Sequence, residues 1–395
     1  MSFSRYLLLL RHPELGAAIT FSFFGRLPIG MTGLAILLFV QTRTGSYAEA
    51  GVAAGAYLAG LAIASPVLGR LIDRLGPTRV LLACAVLYPV SLVALIGTLL
   101  TPAGSLWAIL FSTCAGAALP PVTVCMRTLY RQRLTDERLL IAALSLDSVL
   151  VEVVFIAGPM AVALMVAAVA PWAAVALGAV TGTAGTVLFM RSPAMRSWRP
   201  DLRSSEGVPG TLMTPGFVRI LGVGFGFAIV FGLLEIAVTA YATGRAAPAL
   251  AGWILGVMSI GSAAGGLVFG ARHWHAPLVD QYAAALVITG LGILPLAVLA
   301  HPVAFSVAAA CAGIAMAPPL IIQSMLIAKT VPREQTAEAF TWGTTALLCG
   351  VGAGLLAGGW AVEILGVSTV FALAGAVALG FGVLTRRLFG SYMPA

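Results

Sequence analysis

Charge is what this chain has least of. Asp, Glu, Lys and Arg make up 9% of its 395 residues, against 60% hydrophobic residues and a mean hydropathy of +1.03. A soluble chain carries about 25% charged residues, so a water-facing surface of this size is excluded, and soluble-enzyme readings with it. Lysine is nearly absent, Lys329 standing alone beside 21 arginines. The five cysteines, Cys84, Cys114, Cys125, Cys311 and Cys349, are odd in number, lie in apolar runs and form no CxxC pair. A disulfide framework and a zinc site are therefore not expected, and the thiols read as small packing residues. His12, His273, His275 and His301 have no supporting ligands at metal spacing. No phosphate-cradling GxxxxGK[ST] or nucleophile motif occurs, so neither a cofactor nor ATP hydrolysis within this chain is expected.

What remains is a series of apolar runs long enough to cross a hydrocarbon core of roughly 30 Å. Spans are expected at about residues 14–41, 47–69, 79–100, 104–129, 139–168, 171–190, 217–242, 248–270, 281–300, 302–328, 336–362 and 366–386. The net charge of +8 would suggest nucleic acid in a soluble chain, but here the arginines follow the spans. They fill the N-terminus, alternate connections and the C-terminus, while the opposite connections offer only Arg43 and Arg245. Arginine-rich short loops stay inside, so both termini are expected in the cytoplasm and no nucleic-acid partner is implied. No cleavable signal peptide is evident; the first span serves as the signal.

The longest connection, arginine-, serine- and proline-bearing, divides the chain into a bundle over residues 1–190, a linker over 191–216 and a bundle over 217–395. The halves repeat. Ala50-Gly51 ahead of Gly69 matches Ala251-Gly252 ahead of Gly270, and Cys114-Ala115-Gly116 before Pro120-Pro121 is echoed by Cys311-Ala312-Gly313 before Pro318-Pro319. Such symmetry marks transporters in which two six-helix bundles rock about a site near the midplane.

The segment from Gly69 to Arg79 resembles the signature loop of the major facilitator superfamily, G-x-L-x-D-r-x-G-r-[RK]-x. It keeps Gly69, Arg70, Asp73, Arg74 and Gly76, with Pro77 and Thr78 where further basic residues are usual. The resemblance implies an all-α fold of twelve spans in two bundles related by a pseudo-two-fold axis, and a conformational latch formed by Asp73, Arg70 and Arg74. The second-half loop, Gly270 to His275, lacks the aspartate, which makes the latch one-sided. A second pattern resembles the glycine- and proline-rich fifth helix of proton-coupled drug exporters in that family. Here Gly158-Pro159 survives in the fifth span, whereas the eleventh keeps glycines, including Gly350, Gly354 and Gly358, and lacks the proline. Both stretches read as helix packing, not as a dinucleotide loop.

Ionisable residues inside spans are the functional candidates, because a charge at the bilayer centre costs about 2.5 to 3.5 kcal/mol on insertion scales. Arg26 and Glu152 share a depth of about 18 to 20 Å from the cytoplasmic end. If the first and fifth spans are neighbours, as they are in the family, these two are expected to pair, either as a responsive pair or as a structural one. Asp147 is shallower, with Arg127 as its expected partner in a structural ion pair. Asp147 and Glu152 lie about 140° apart on their helix and so do not form a carboxylate dyad. In the second half Glu235 is the comparable acid, and Gln323 the deep polar residue. Spans one, four, seven and ten line the path in the family, which places Arg26, Glu235 and Gln323 on or near the route. The aromatics Phe24, Tyr57, Trp253 and Trp342 are candidates beside them.

These features lead to a secondary transporter working by alternating access, with proton-coupled export of a small amphiphilic molecule or drug as the leading expectation. Proton-linked uptake of a small organic anion, with Arg26 as the binding cation, is the runner-up. A membrane-embedded enzyme would need clustered catalytic groups, and a transporter-like sensor usually an added domain; neither is evident. The expected setting is a bacterial cytoplasmic membrane, with a monomeric protein, a small-molecule substrate, protons and the lipid bilayer as its partners.

Overall fold

The computed structural model describes residues 9, 14–101, 105–134, 136–196, 198, 214–272, 274–332 and 335–389, apart from the side chains of residues 73, 105, 137, 138, 141, 336 and 337. Among the described residues there is no strand, and twelve helices are long and apolar enough to cross a membrane. They are spans 1 to 6, at Leu15–Thr44, Tyr47–Ile72, Pro77–Leu100, Leu106–Arg133, Ala142–Ala168 and Pro171–Arg191, and spans 7 to 12, at Pro215–Thr243, Ala249–Ala271, Leu278–Ala297, Pro302–Thr330, Glu338–Leu365 and Val367–Phe389. The expected all-α, twelve-span fold is met, and the chain is a multi-pass membrane protein. Most of the expected linker falls outside the described residues.

Local chemistry sets the boundaries. Gly45 ends span 1 with φ of 74°, a left-handed cap whose N–H closes on Gln41 O. Ser46 then caps span 2, its side chain accepting from Glu49 N. Gly76, with φ of 81°, turns the chain into Pro77 at the first position of span 3. The paired prolines mark two matching interruptions. Span 4 breaks between Ser105–Ala117 and Val122–Arg133, and span 10 between Pro302–Ile314 and Ala317–Thr330. Proline supplies no N–H and crowds the preceding turn, so the helix restarts at each pair.

Within the first six spans, span 1 packs on spans 5 and 6, span 3 on span 6 and span 2 on span 4; span 7 packs on spans 11 and 12, and span 9 on span 12. Glycine permits the closest approaches. Gly30 stands against the Val154 backbone and Gly158 against that of Gly30, leaving no room for a Cβ at either position.

The two sets of six meet mainly through spans 2 and 11 and through spans 5 and 8. Gly51 faces the Leu355 carbonyl, Gly359 that of Tyr47, and Gly252 that of Pro159. All of these lie toward the end of the bundle opposite the chain termini, hereafter the far end. The second parts of spans 4 and 10, at the end that carries the termini, make their main contacts within their own set of six. The halves are therefore closed together at the far end and splayed at the near end, with a cleft between them.

Candidate functional site

Span 5 presents its two acids to different neighbours. Val154 and Gly158 each fall about 20° from Asp147 around the helix, and they are the residues that meet Gly30 of span 1. Arg26 lies one turn before Gly30, so it meets Asp147. Its Nη1 stands 2.6 Å from Asp147 Oδ1, and both side chains are 0% exposed. Arg127 of span 4 donates from Nε to Asp147 Oδ2 at 2.8 Å, with its own side chain 51% exposed. The expected contact of Arg127 with Asp147 is present. The expected pairing of Arg26 with Glu152 is corrected: depth matched, but azimuth decided the partner.

One carboxylate thus serves two guanidinium groups, leaving a surplus positive charge shared with half-exposed Arg127. Among the described residues Nε and Nη2 of Arg26 have no hydrogen-bond partner, and neither has the buried Tyr130 hydroxyl one turn from Arg127. Among the described residues the second half has no such cluster. Gly232 meets Val351 as Gly30 meets Val154, which aligns Arg26 with Ala228 and Asp147 with Thr344.

Glu152 points elsewhere. It shares a face with Ile156, Pro159 and Ala163, the residues that meet Gly252 and Gly256 of span 8, but lies one to three turns nearer the open end. It is exposed toward the cleft. Glu235, half-buried in span 7, brings Oε1 opposite Gly33 of span 1, 3.7 Å from where a Cβ would stand. It therefore sits where the two halves approach, at the closed end of the cleft. Gln323 lies against Gly224, three turns before Glu235 on the same side of span 7, and its Oε1 accepts from Tyr282 at 3.5 Å. Among the candidate aromatics, Tyr57 is buried in the first half, beside the Thr32–Tyr88 hydroxyl pair at 2.7 Å. Phe24 lies half a turn around span 1 from Gly33, facing away from the cleft. Trp253 and Trp342 are exposed.

At the near end, Arg70 and Arg74 are exposed, and the Asp73 side chain falls outside the described residues. Gly69 and its counterpart Gly270 have nothing within 4 Å of a Cβ position. Gly350 and Gly354 pack on the backbone of span 7 at Phe225 and Ile229, and Gly358 on Ile236.

The far end holds a feature that the sequence reading missed. Glu363, near the end of span 11, reaches across to the first turn of span 2. Its Oε1 accepts from Ser46 Oγ at 2.7 Å and from Ala48 N at 3.0 Å, placing a carboxylate on a helix N-terminus. Beside it the Tyr47 and Thr243 hydroxyls share a 2.6 Å hydrogen bond between spans 2 and 7. The one local signal was the capping sequence Ser46 to Glu49, which says nothing of a partner more than 300 residues away.

Comparison with known proteins places this geometry. Among solved structures, the nucleoside transporter NupG aligns with a TM-score of 0.72 at 16% identity, over 94% of this chain and 99% of that one. The peptide transporter POT aligns with a TM-score of 0.73 at 14% identity, over 96% and 95%. At such identities the likeness is one of fold. No curated protein matches the chain. The family model of the Major Facilitator Superfamily matches residues 18–276, and the chain belongs to that superfamily of transporters.

Proposed function

We propose that the protein is a secondary transporter that works by alternating access and exports a small amphiphilic molecule in exchange for protons. The observation that carries this reading is the cleft, closed at the far end by backbone-to-backbone glycine contacts and open at the near end, with Glu152 and Glu235 turned toward it. The first and second sets of six spans act as the two rocking units. Gly69 and Gly270, which face open space here, become the contact surface when the near end closes, with Arg70, Asp73 and Arg74 as its latch. Both termini lie in the cytoplasm, so this conformation faces inward. Glu152 is the proton-responsive group, because it is deep, uncommitted and open to the cleft. Arg26, Asp147 and Arg127 hold spans 1, 4 and 5 together.

The test is accumulation of a mixed panel of amphiphilic drugs, organic acids and amino acids in efflux-deficient bacteria making the protein or its Glu152→Gln variant. Lower accumulation that disappears in the variant and with a protonophore supports the reading. Higher accumulation of an organic acid would instead indicate uptake, with Arg26 released from Asp147 to meet the anion.

A further inference from the structure

The sign of charge that this cleft accepts follows from which ionised groups are already committed. Four ionisable side chains lie deep in the spans: Arg26, Asp147, Glu152 and Glu235. Arg26 is wholly enclosed and held by Asp147, so its charge is out of reach of a ligand in the cleft. The carboxylates of Glu152 and Glu235 have no ion pair or hydrogen bond among the described residues. Other arginines in or beside the spans are taken up locally: Arg43 by the Leu99 carbonyl, Arg219 by that of Leu388, and Arg245 by the Ala300 carbonyl and the Tyr241 ring. Among the described residues the deep cleft therefore offers two carboxylates without a protein partner, one from each half, while the half-exposed Arg127, which shares Asp147 with Arg26, lies nearer the open end.

Two further observations lie on the same side of span 7. Phe231, one turn from Glu235, is half-buried and meets Phe227 edge to face at 5.1 Å, so an aromatic ring stands beside the carboxylate. A ring face next to a carboxylate in a low-dielectric site favours an organic cation over a small hydrated ion. Gln323 is 4% exposed, and its amide Nε2 makes no hydrogen bond among the described residues. That donor keeps some solvent access, so a ligand acceptor or water can reach it.

We infer that the cleft binds an amphiphile bearing a positive charge, held by Glu235 and Glu152 and carrying a hydrogen-bond acceptor toward Gln323. The inference rests on the cleft being the transport path and supplies the chemical class of what moves through it.

Binding in lipid nanodiscs tests it without requiring transport. Tetraphenylphosphonium and tetraphenylborate have the same shape and opposite charge, and each is titrated against protein-loaded and empty nanodiscs. The expected result is saturable binding of the phosphonium, weakened about tenfold or more by Glu235→Gln and by Glu152→Gln, with no saturable binding of the borate. Thermal unfolding of each variant at the wild-type temperature shows that a loss of binding is not a loss of fold. Saturable borate binding that Arg26→Gln abolishes, or phosphonium binding unchanged in the double Glu152→Gln/Glu235→Gln variant, overturns the inference. Phosphonium binding as expected, with no flux in liposomes under any gradient, sustains the charge assignment and overturns the transport reading alone.

Discussion

Removing the Glu363 carboxylate should open the far end. In this conformation Glu363 makes two hydrogen bonds across the halves, to Ser46 Oγ and to Ala48 N, and sits on the positive end of span 2. A hydrogen bond to a charged group contributes about 1.5 to 3 kcal/mol when sheltered, and a surface ion contact nearer 0 to 1. These bonds are solvent-facing, so the lower part of that range applies, with about 0.3 to 1 kcal/mol more from the helix end. Glu363→Ala should then cost the far-closed state about 1.5 kcal/mol, a shift of about tenfold between the two conformations. Spin labels at Thr101 and Val298, both exposed at the far end and on opposite halves, in a background without the native cysteines, would report it. Pulsed dipolar spectroscopy should gain a longer distance in Glu363→Ala. Adding Tyr47→Phe, which removes the 2.6 Å bond to Thr243, should increase that population. A distance distribution identical to the parent in both variants would refute the reasoning, because the contacts would then carry no share of the closed state.

Asp147→Asn should leave Arg26 charged and enclosed without a counterion, lowering stability by about 3 to 5 kcal/mol, readable as a fall in Tm in detergent. The double change Arg26→Met/Asp147→Leu should recover most of that loss, since paired apolar residues tolerate the same burial. Gly69→Val should leave stability within about 1 kcal/mol of the parent, because nothing lies within 4 Å of its Cβ position. Transport should nonetheless be lost in the same variant as the near end fails to close, and normal flux would remove Gly69 from the contact surface.

The architecture was legible because hydropathy and arginine placement are properties of sequence alone. The end of span 1 was expected near residue 41 and lies at Thr44, where Gly45 rather than loss of hydropathy stops the helix. The paired prolines announced the repeat, and they are where spans 4 and 10 each break. The charge partners were half legible. Depth can be counted along the chain at 1.5 Å per residue, but azimuth between two helices depends on which faces touch. Gly30 and Gly158 set that face, and with it the choice of Asp147 over Glu152. Had the glycine of span 1 been matched to the glycine of span 5, the Arg26 partner could have been read from the sequence. Glu363 could not, because a cross-half bond between the start of span 2 and the end of span 11 exists only once the halves have closed.

The central claim is that this chain couples movement of a small molecule to protons through Glu152. Purified protein in liposomes loaded with a pH-sensitive dye, with a pH gradient imposed and amphiphiles added one at a time, tests it most directly. The account predicts proton flux triggered by a cationic amphiphile in the parent protein and absent in Glu152→Gln. Amphiphile movement that runs at the same rate with and without the gradient, and in the variant as in the parent, would contradict it.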